Sequence, residues 1–370
     1  MRVTYSHEYE SDKRVRIAAI GCGGHAQRNV LPALQFAPAN LVAVCDLDHA
    51  RAEACARQFG AQGAYVDHRR MLASVKPDAV VIVTNYDDEG RPRYPALAAD
   101  ALRAGGFSIQ ACAPAASVDE VDAMVAAEQE TGRFVAVGFK KMFAPANVKA
   151  RDITRRPEFG RVATLTARYP QSLPPRDKRD DLKAMVGFLD HIVHPFSVIR
   201  LLGGPIASLC VERTDAATGG SVTLIRFTSG AVGSLHLSAG QPGTMPLERT
   251  EVIGDGGAAV VVDNNLRVTY YRPGGGPDGG YGRAGSFYEM ARDDAEAAPL
   301  FWEPEFSLGQ LYNKGLFTLG YAPELRYFCE CALEKTPPEV GNLADARELL
   351  QVFEAYRRAP DGERVMLSAG

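Results

Sequence analysis

Asp190 and His194 are the residues of this chain best suited to moving a proton. They lie in Gly187-Phe188-Leu189-Asp190-His191-Ile192-Val193-His194-Pro195. A separation of four puts both on one face of a helix. An imidazole changes protonation near neutral pH, and a carboxylate one turn earlier could orient the ring and stabilise its charged form. The same residues also fit a plainer role, with His194 as a packing contact beside Pro195 and Asp190 as a helix-start residue. His191 is available too, but helical geometry points it elsewhere.

A second constellation lies far upstream. Gly21-Cys22-Gly23-Gly24-His25-Ala26 follows an apolar strand candidate over 15–20 and opens a helix through Val30, Leu31 and Leu34. Gly21, Gly23 and Ala26 fit the turn G-x-G-x-x-G/A, where the first glycine permits the bend and the second lets backbone approach a pyrophosphate. The small third residue lets helix and sheet pack closely. Gly24 and His25 complete the loop, whose amides and helix N-terminus would stabilise phosphates. Asp46 ends the next strand candidate, 41–45. A carboxylate there can accept from both adenosine ribose hydroxyls and repels a 2'-phosphate, which favours NAD over NADP. The plainer alternatives are a tight glycine turn and an exposed Asp46 opening a turn with Asp48.

Other candidates follow strand ends, which face the ligand crevice in open α/β sheets. Thr84, Asn85 and Tyr86 close the buried strand 79–84, and their alternative role is turn formation. Lys140 and Lys141 follow the strand candidate 134–138; one could meet a substrate hydroxyl or carboxylate, or both could serve solubility. Trp302 could stack on the apolar face of a sugar ring or anchor a chain return.

The elements that must position these groups divide in two. Strands alternate with helices at 50–59, 95–104 and 117–130, the last with a Ser117/Glu120 capping box, which predicts a doubly wound parallel sheet. Downstream of a polar segment, 169–183, strand candidates recur at 207–213, 221–227, 231–238, 248–253, 258–262 and 266–271 with little helix between them. They predict an open, mainly antiparallel sheet with one helix-covered face. The fold class is therefore α/β: a dinucleotide-binding Rossmann domain over 1–140, and an α/β substrate-binding and oligomerisation domain over 141–370. The last segment, with helix-like stretches at 309–333 and 343–357, is free to pack back on the first. Residues 273–285 form a glycine-rich surface loop.

A chain of 370 residues suits two domains, and a formal net charge of -4 gives no reason to expect nucleic acid. The seven cysteines lack metal-ligand spacing; Cys329 and Cys331, the closest pair, are expected on a helix, and no metal site is predicted. The odd cysteine count, the absence of a secretion-type start and the lack of a long apolar run point to a cytoplasmic protein with no membrane contact.

Together these features resemble the glucose-fructose oxidoreductase/inositol dehydrogenase/MocA (Gfo/Idh/MocA) family. The resemblance rests on Ala19-Ile20-Gly21-Cys22-Gly23-Gly24, on Val44-Cys45-Asp46-Leu47-Asp48 and on Val137-Gly138-Phe139-Lys140-Lys141-Met142-Phe143-Ala144-Pro145. It rests also on Asp190 and His194 before Leu201-Leu202-Gly203. It implies NAD(P)-linked redox chemistry on a sugar, cyclitol or related polyol, with His194 as acid/base and Asp190 its partner. It implies dimer contacts through the open sheet, hence a homodimer or homotetramer. The departures are specific. The family's Glu-Lys-Pro is replaced within Gln110-Ala111-Cys112-Ala113-Pro114, so Ala113 or Cys112 stands at the lysine. Thr84-Asn85-Tyr86 lacks the family's proline, Tyr94 is the nearest match to a family histidine, and Ile192 replaces a glycine. Loss of a cation near a developing alkoxide removes a few kcal/mol of stabilisation. Three readings stay open: an oxidoreductase in which Lys140, Lys141 or Tyr94 compensates, a non-catalytic NAD-binding regulator, and a sugar-modifying enzyme using NAD transiently.

Overall fold

The computed structural model describes residues 13–110, 113–216, 218–273, 299–304 and 314–368. Six strands, β1 (Val15–Ile20), β2 (Ala39–Cys45), β3 (Gly63–Tyr65), β4 (Ala79–Ile82), β5 (Phe107–Gln110) and β6 (Val135–Val137), form a parallel sheet in the order β3-β2-β1-β4-β5-β6. Every residue of β4 is buried, as an uninterrupted apolar run between two helix layers requires. Those layers are a helical turn over Ala26–Val30 leading into α1 (Leu31–Leu34), then α2 (His49–Phe59), α3 (His68–Val75), α4 (Tyr94–Arg103) and α5 (Val118–Thr131). Asp48, Asp67 and Ser117 cap α2, α3 and α5 by accepting from backbone amides three residues on. Glu120 reaches back to the amide of Ala116 at 2.8 Å.

A tight turn, Lys140–Met142, and α6 (Pro145–Thr154) lead into the second sheet. Its strands are β7 (Val162–Tyr169), β8 (Ile206–Arg213), β9 (Ser221–Phe227), β10 (Val232–Leu237), β11 (Arg249–Gly254), β12 (Ala259–Asp263), β13 (Arg267–Tyr271), β14 (Leu300–Trp302) and β15 (Arg364–Met366). Their order is β14-β13-β12-β11-β7-β10-β9-β8-β15. All pairings are antiparallel except β10 with β7. Between β7 and β8 runs α7 (Leu182–Gly203), which covers one face together with α10 (Leu343–Arg358). The strict alternation of β9 buries Ser221, Thr223, Ile225 and Phe227 beneath these helices and turns Val222 and Leu224 outward.

The C-terminal helices α8 (Lys314–Thr318) and α9 (Tyr321–Glu334) return to the first sheet, where Leu325, Phe328 and Cys329 join Val15, Ile17 and Leu31 in one core. Cys329 and Cys331 are buried residues of that helix. The expectation of no long apolar run needs correction: the 22-residue α7 is long and apolar enough to cross a bilayer. Its apolar face is instead spent on the core, where Met185, Phe188, Leu189 and Ile192 are buried. Strands β3, β7, β14 and β15 and helices α3 and α6 escaped the sequence reading; most are short or lack a distinct period, but β7, eight residues long, lies at the middle of the second sheet. Cys112 and, apart from Pro273, the expected loop 273–285 lie outside the described residues.

Candidate active site

The glycine turn is built by close approach. Gly21 has φ +96°, and a Cβ there would lie 1.9 Å from the carbonyl oxygen of Val83. Its amide donates to Cys45 at 2.8 Å while Val83 donates to Ile20 at 2.8 Å, so the ends of β1, β2 and β4 meet at this residue. Gly23 is different: a Cβ there would meet nothing within 4 Å. The tightness at Gly21 is internal, whereas Gly23 faces open space at a helix start, where a pyrophosphate would sit. Ala26 is fully buried, the close helix–sheet packing that a small residue allows. Arg28 curls back onto the Gly24 carbonyl at 3.1 Å, and His25 Nδ1 meets Asn29 at 3.1 Å. Asp46 Oδ2 accepts from the Cys22 amide at 2.8 Å and Oδ1 from the Asp48 amide at 3.0 Å, with Arg51 at 3.3 Å. Its carboxylate is thus fixed at the lip of the turn. These residues fit a dinucleotide.

Beside the turn is a cavity of about 430 Å³. His25, Thr84, Asn85 and Tyr86 border it from the first sheet, Ala113 from the segment after β5, and Asp190 from α7. Ala113 is buried; Cys112, the other residue that could stand at the family's lysine, lies outside the described residues.

The loop 86–92 follows β4. Tyr86 bridges to Pro92, and Asp87 accepts from the amides of Glu89 and Arg91 at 2.9 and 2.8 Å. Gly90, at φ +82°, abuts the backbone of Leu182 and Lys183 at the start of α7, where any Cβ would clash. So docked, the loop directs the Tyr86 hydroxyl to donate a hydrogen bond to Asp190 Oδ1. Burial raises the Asp190 pKa, and the Tyr86 hydrogen bond and nearby His191 oppose that rise. Among the described residues Asp190 makes no hydrogen bond to His194. The spacing of four shares a helix face, but the carboxylate turns toward the donor offered across the cleft.

His194 is partly buried, its ring 6.3 Å from those of Tyr169 and His191. Burial first, then the charges of Lys141 and Lys140, hold its pKa well below the ordinary histidine value, so the ring is neutral at physiological pH. His191 is exposed and bonds the Gly187 carbonyl at 2.8 Å.

Three anticipated substitutes for the lysine are engaged elsewhere. Lys141 is buried and paired with Glu248, which also accepts from Asn265 at 2.7 Å. Burial lowers the Lys141 pKa and Glu248 opposes the change. Lys140 donates to the Tyr321 hydroxyl at 2.6 Å, tying the turn after β6 to α9. The Tyr94 ring borders the cavity, but its hydroxyl points into the core toward Ser108 and the Ala136 carbonyl, each at 3.4 Å. Burial pushes that phenol far above its usual range. Trp302 lies on edge strand β14 with Lys149 5.4 Å above its ring. The sequence reading missed Tyr86 as the partner of Asp190; its place after β4 was the available signal.

Residues 15–139 match the family model described as the Gfo/Idh/MocA oxidoreductase family with an NAD-binding Rossmann fold, and residues 147–260 match the Gfo/Idh/MocA C-terminal domain. The chain belongs to the Gfo/Idh/MocA family. It is an oxidoreductase of that family, and NAD is its cofactor. The chain is 29% identical over 68% of its length to scyllo-inositol 2-dehydrogenase (NAD(+)) of Bacillus subtilis, covering 74% of that protein. It is 28% identical over 69% of its length to inositol 2-dehydrogenase of Rhizobium meliloti, covering 77% of it. An oxidoreductase from Agrobacterium radiobacter, solved with NAD+, L-tartaric acid and magnesium, shares the fold: TM-score 0.75, 16% identity, 96% of this chain and 98% of that one.

Proposed function

We propose that this family member oxidises, or in reverse forms, a secondary hydroxyl of a sugar, cyclitol or related polyol, with His194 as the proton acceptor. The observation that carries the reading is the cavity between the glycine turn and α7, bordered by the polar groups Thr84, Asn85, Tyr86 and Asp190, with His194 one helical turn beyond. Polar groups of both hydrogen-bonding senses around a cleft of this size suit a small polyhydroxyl compound. The inositol dehydrogenase relatives support the same substrate class.

The residues suited to hold NAD are Gly21, Gly23, Gly24, His25 and Ala26 at the turn, Asp46 at the ribose, and Thr84 and Asn85 at the crevice. When bound, NAD supplies the hydride acceptor. The chain's own residues do the rest. Neutral His194 takes the hydroxyl proton and returns it in the reverse direction. Asp190 supplies a carboxylate on the same wall. Lys141 and Lys140 oppose accumulation of positive charge on the His194 ring. We further propose a homodimer or homotetramer joined through the outer face of the second sheet.

Absorbance at 340 nm with NAD and a panel of cyclitols, aldoses and sugar acids tests the reading. NADH formation on at least one is expected. Tight NAD binding without turnover on any member would favour a regulatory role, and product formation without net NADH would favour transient use of the cofactor.

A further inference from the structure

We propose that Tyr86 is a positioning residue of this site: its hydroxyl clamps Asp190 Oδ1 across the cleft, so that Oδ2 is presented to the substrate hydroxyls. The inference rests on the dehydrogenase reading above and adds to it a residue of the Thr84-Asn85-Tyr86 turn, where the chain departs from the family pattern. Four observations meet here. Tyr86 and Asp190 border the same cavity. They are joined by a hydrogen bond over a sequence separation of 104. Asp190 is partly exposed, and among the described residues its Oδ2 has no hydrogen-bond partner. The loop that delivers Tyr86 is braced twice, internally by Asp87 and externally by the tight contact of Gly90 with α7.

The chemistry follows from the loss of the lysine. A buried carboxylate favours its neutral form unless something stabilises the charge. Since neither Ala113 nor Cys112 carries an ammonium group, that stabilisation falls to hydrogen-bond donors, and the Tyr86 phenol is the donor in contact. His25, Thr84 and Asn85 border the same cavity, and among the described residues Tyr86 is the group hydrogen-bonded to Asp190. Tyr94 sends its hydroxyl into the core, and His25 meets Asn29. His191, on the same helix, bonds Gly187. From the elements packed on α7, Lys140 and Lys141 bear on His194, as does the Tyr169 ring, while Asp345 and Glu348 of α10 face Arg200. Arg151 of α6 is paired with Asp152.

The test uses Tyr86→Phe in the full chain, which keeps the ring and removes the donor. NAD affinity by titration calorimetry should stay within about twofold, and kcat/KM on the polyol turned over by wild type should fall roughly 10–100-fold. In Asp190→Asn the same change should cost nothing further, because Tyr86 acts through the carboxylate. The carboxyl carbon of Asp190, followed by NMR against pH, should titrate at higher pH in Tyr86→Phe, because the phenol that stabilises the charged form is gone. Placing 3-fluorotyrosine at position 86, a stronger donor of nearly the same shape, should move it the other way and decides the matter if the phenylalanine variant does not fold. An unmoved titration, or losses that multiply in the double variant, would overturn the proposal. If wild type turns over no polyol, the dehydrogenase reading fails, and the carbon titration still judges Tyr86.

Discussion

His194 shows how a site can fit a residue to its task without touching its neighbour in the helix. Spacing suggested that Asp190 would orient the ring, yet the carboxylate bonds Tyr86 and the ring is governed by burial and by two lysine charges. The neutral imidazole has a free lone pair for a proton, while the burial and lysine charges that keep it neutral also oppose the imidazolium it would form. His194→Asn should therefore keep NAD affinity and lower kcat by roughly 10²–10⁴-fold on the substrate identified above, checked by steady-state kinetics from pH 5 to 9. Equal activity in the two proteins would reject the role. The same residue carries a stability signature. Its pKa is lower folded than unfolded, so between those values the unfolded chain binds more protons, and stability falls as pH drops below about 6.5. Melting temperatures measured from pH 7 to 5 should decline less in His194→Asn than in wild type.

At the level of elements, the glycine turn separates two demands that its sequence pattern merges. Gly21 is required by the fold, with left-handed backbone and a carbonyl where a Cβ would be; Gly23 is not. Gly21→Ala should destabilise the chain by about 1–3 kcal/mol from backbone strain alone, more with the clash, and lower the melting temperature without ligand. Gly23→Ala should melt like wild type yet bind NAD at least about tenfold more weakly, because the added methyl occupies the space that approaches the pyrophosphate. Calorimetry on both variants reads the contrast. Equal loss of stability at the two positions would refute this division. The turn was legible because strand, glycines and helix are contiguous. The pairing of Lys141 with Glu248 was not, since a lysine after a strand end looks the same whether it meets substrate or a carboxylate 107 residues away.

Across the whole molecule, the second sheet leaves one face to be covered. Its register puts Arg226, Val232, Thr164 and Ile253 in one cross-strand row, and Val232 and Ile253 are exposed, as are Val222 and Leu224. The homodimer or homotetramer proposed above would be joined through this outward face. Sedimentation velocity should give a dimer or larger species for wild type, and Leu224→Glu should shift it toward monomer; a wild-type monomer at all concentrations would exclude the interface. The parallel class of the first sheet, the mainly antiparallel class of the second and the dinucleotide turn were determined by the sequence alone, whereas the central strand β7 was not. Each is written in contiguous residues, as a burial period or as glycines between a strand and a helix. The partners of Asp190, Lys140, Lys141 and Tyr94 were decided only by the tertiary structure. A side chain's task depends on which donor, charge or carbonyl the fold brings against it, and those groups lie on elements distant in the chain. The clearest case is Tyr86: in sequence it extends a turn, and in the folded chain it reaches Asp190 because Gly90 lets its loop lie flat against α7.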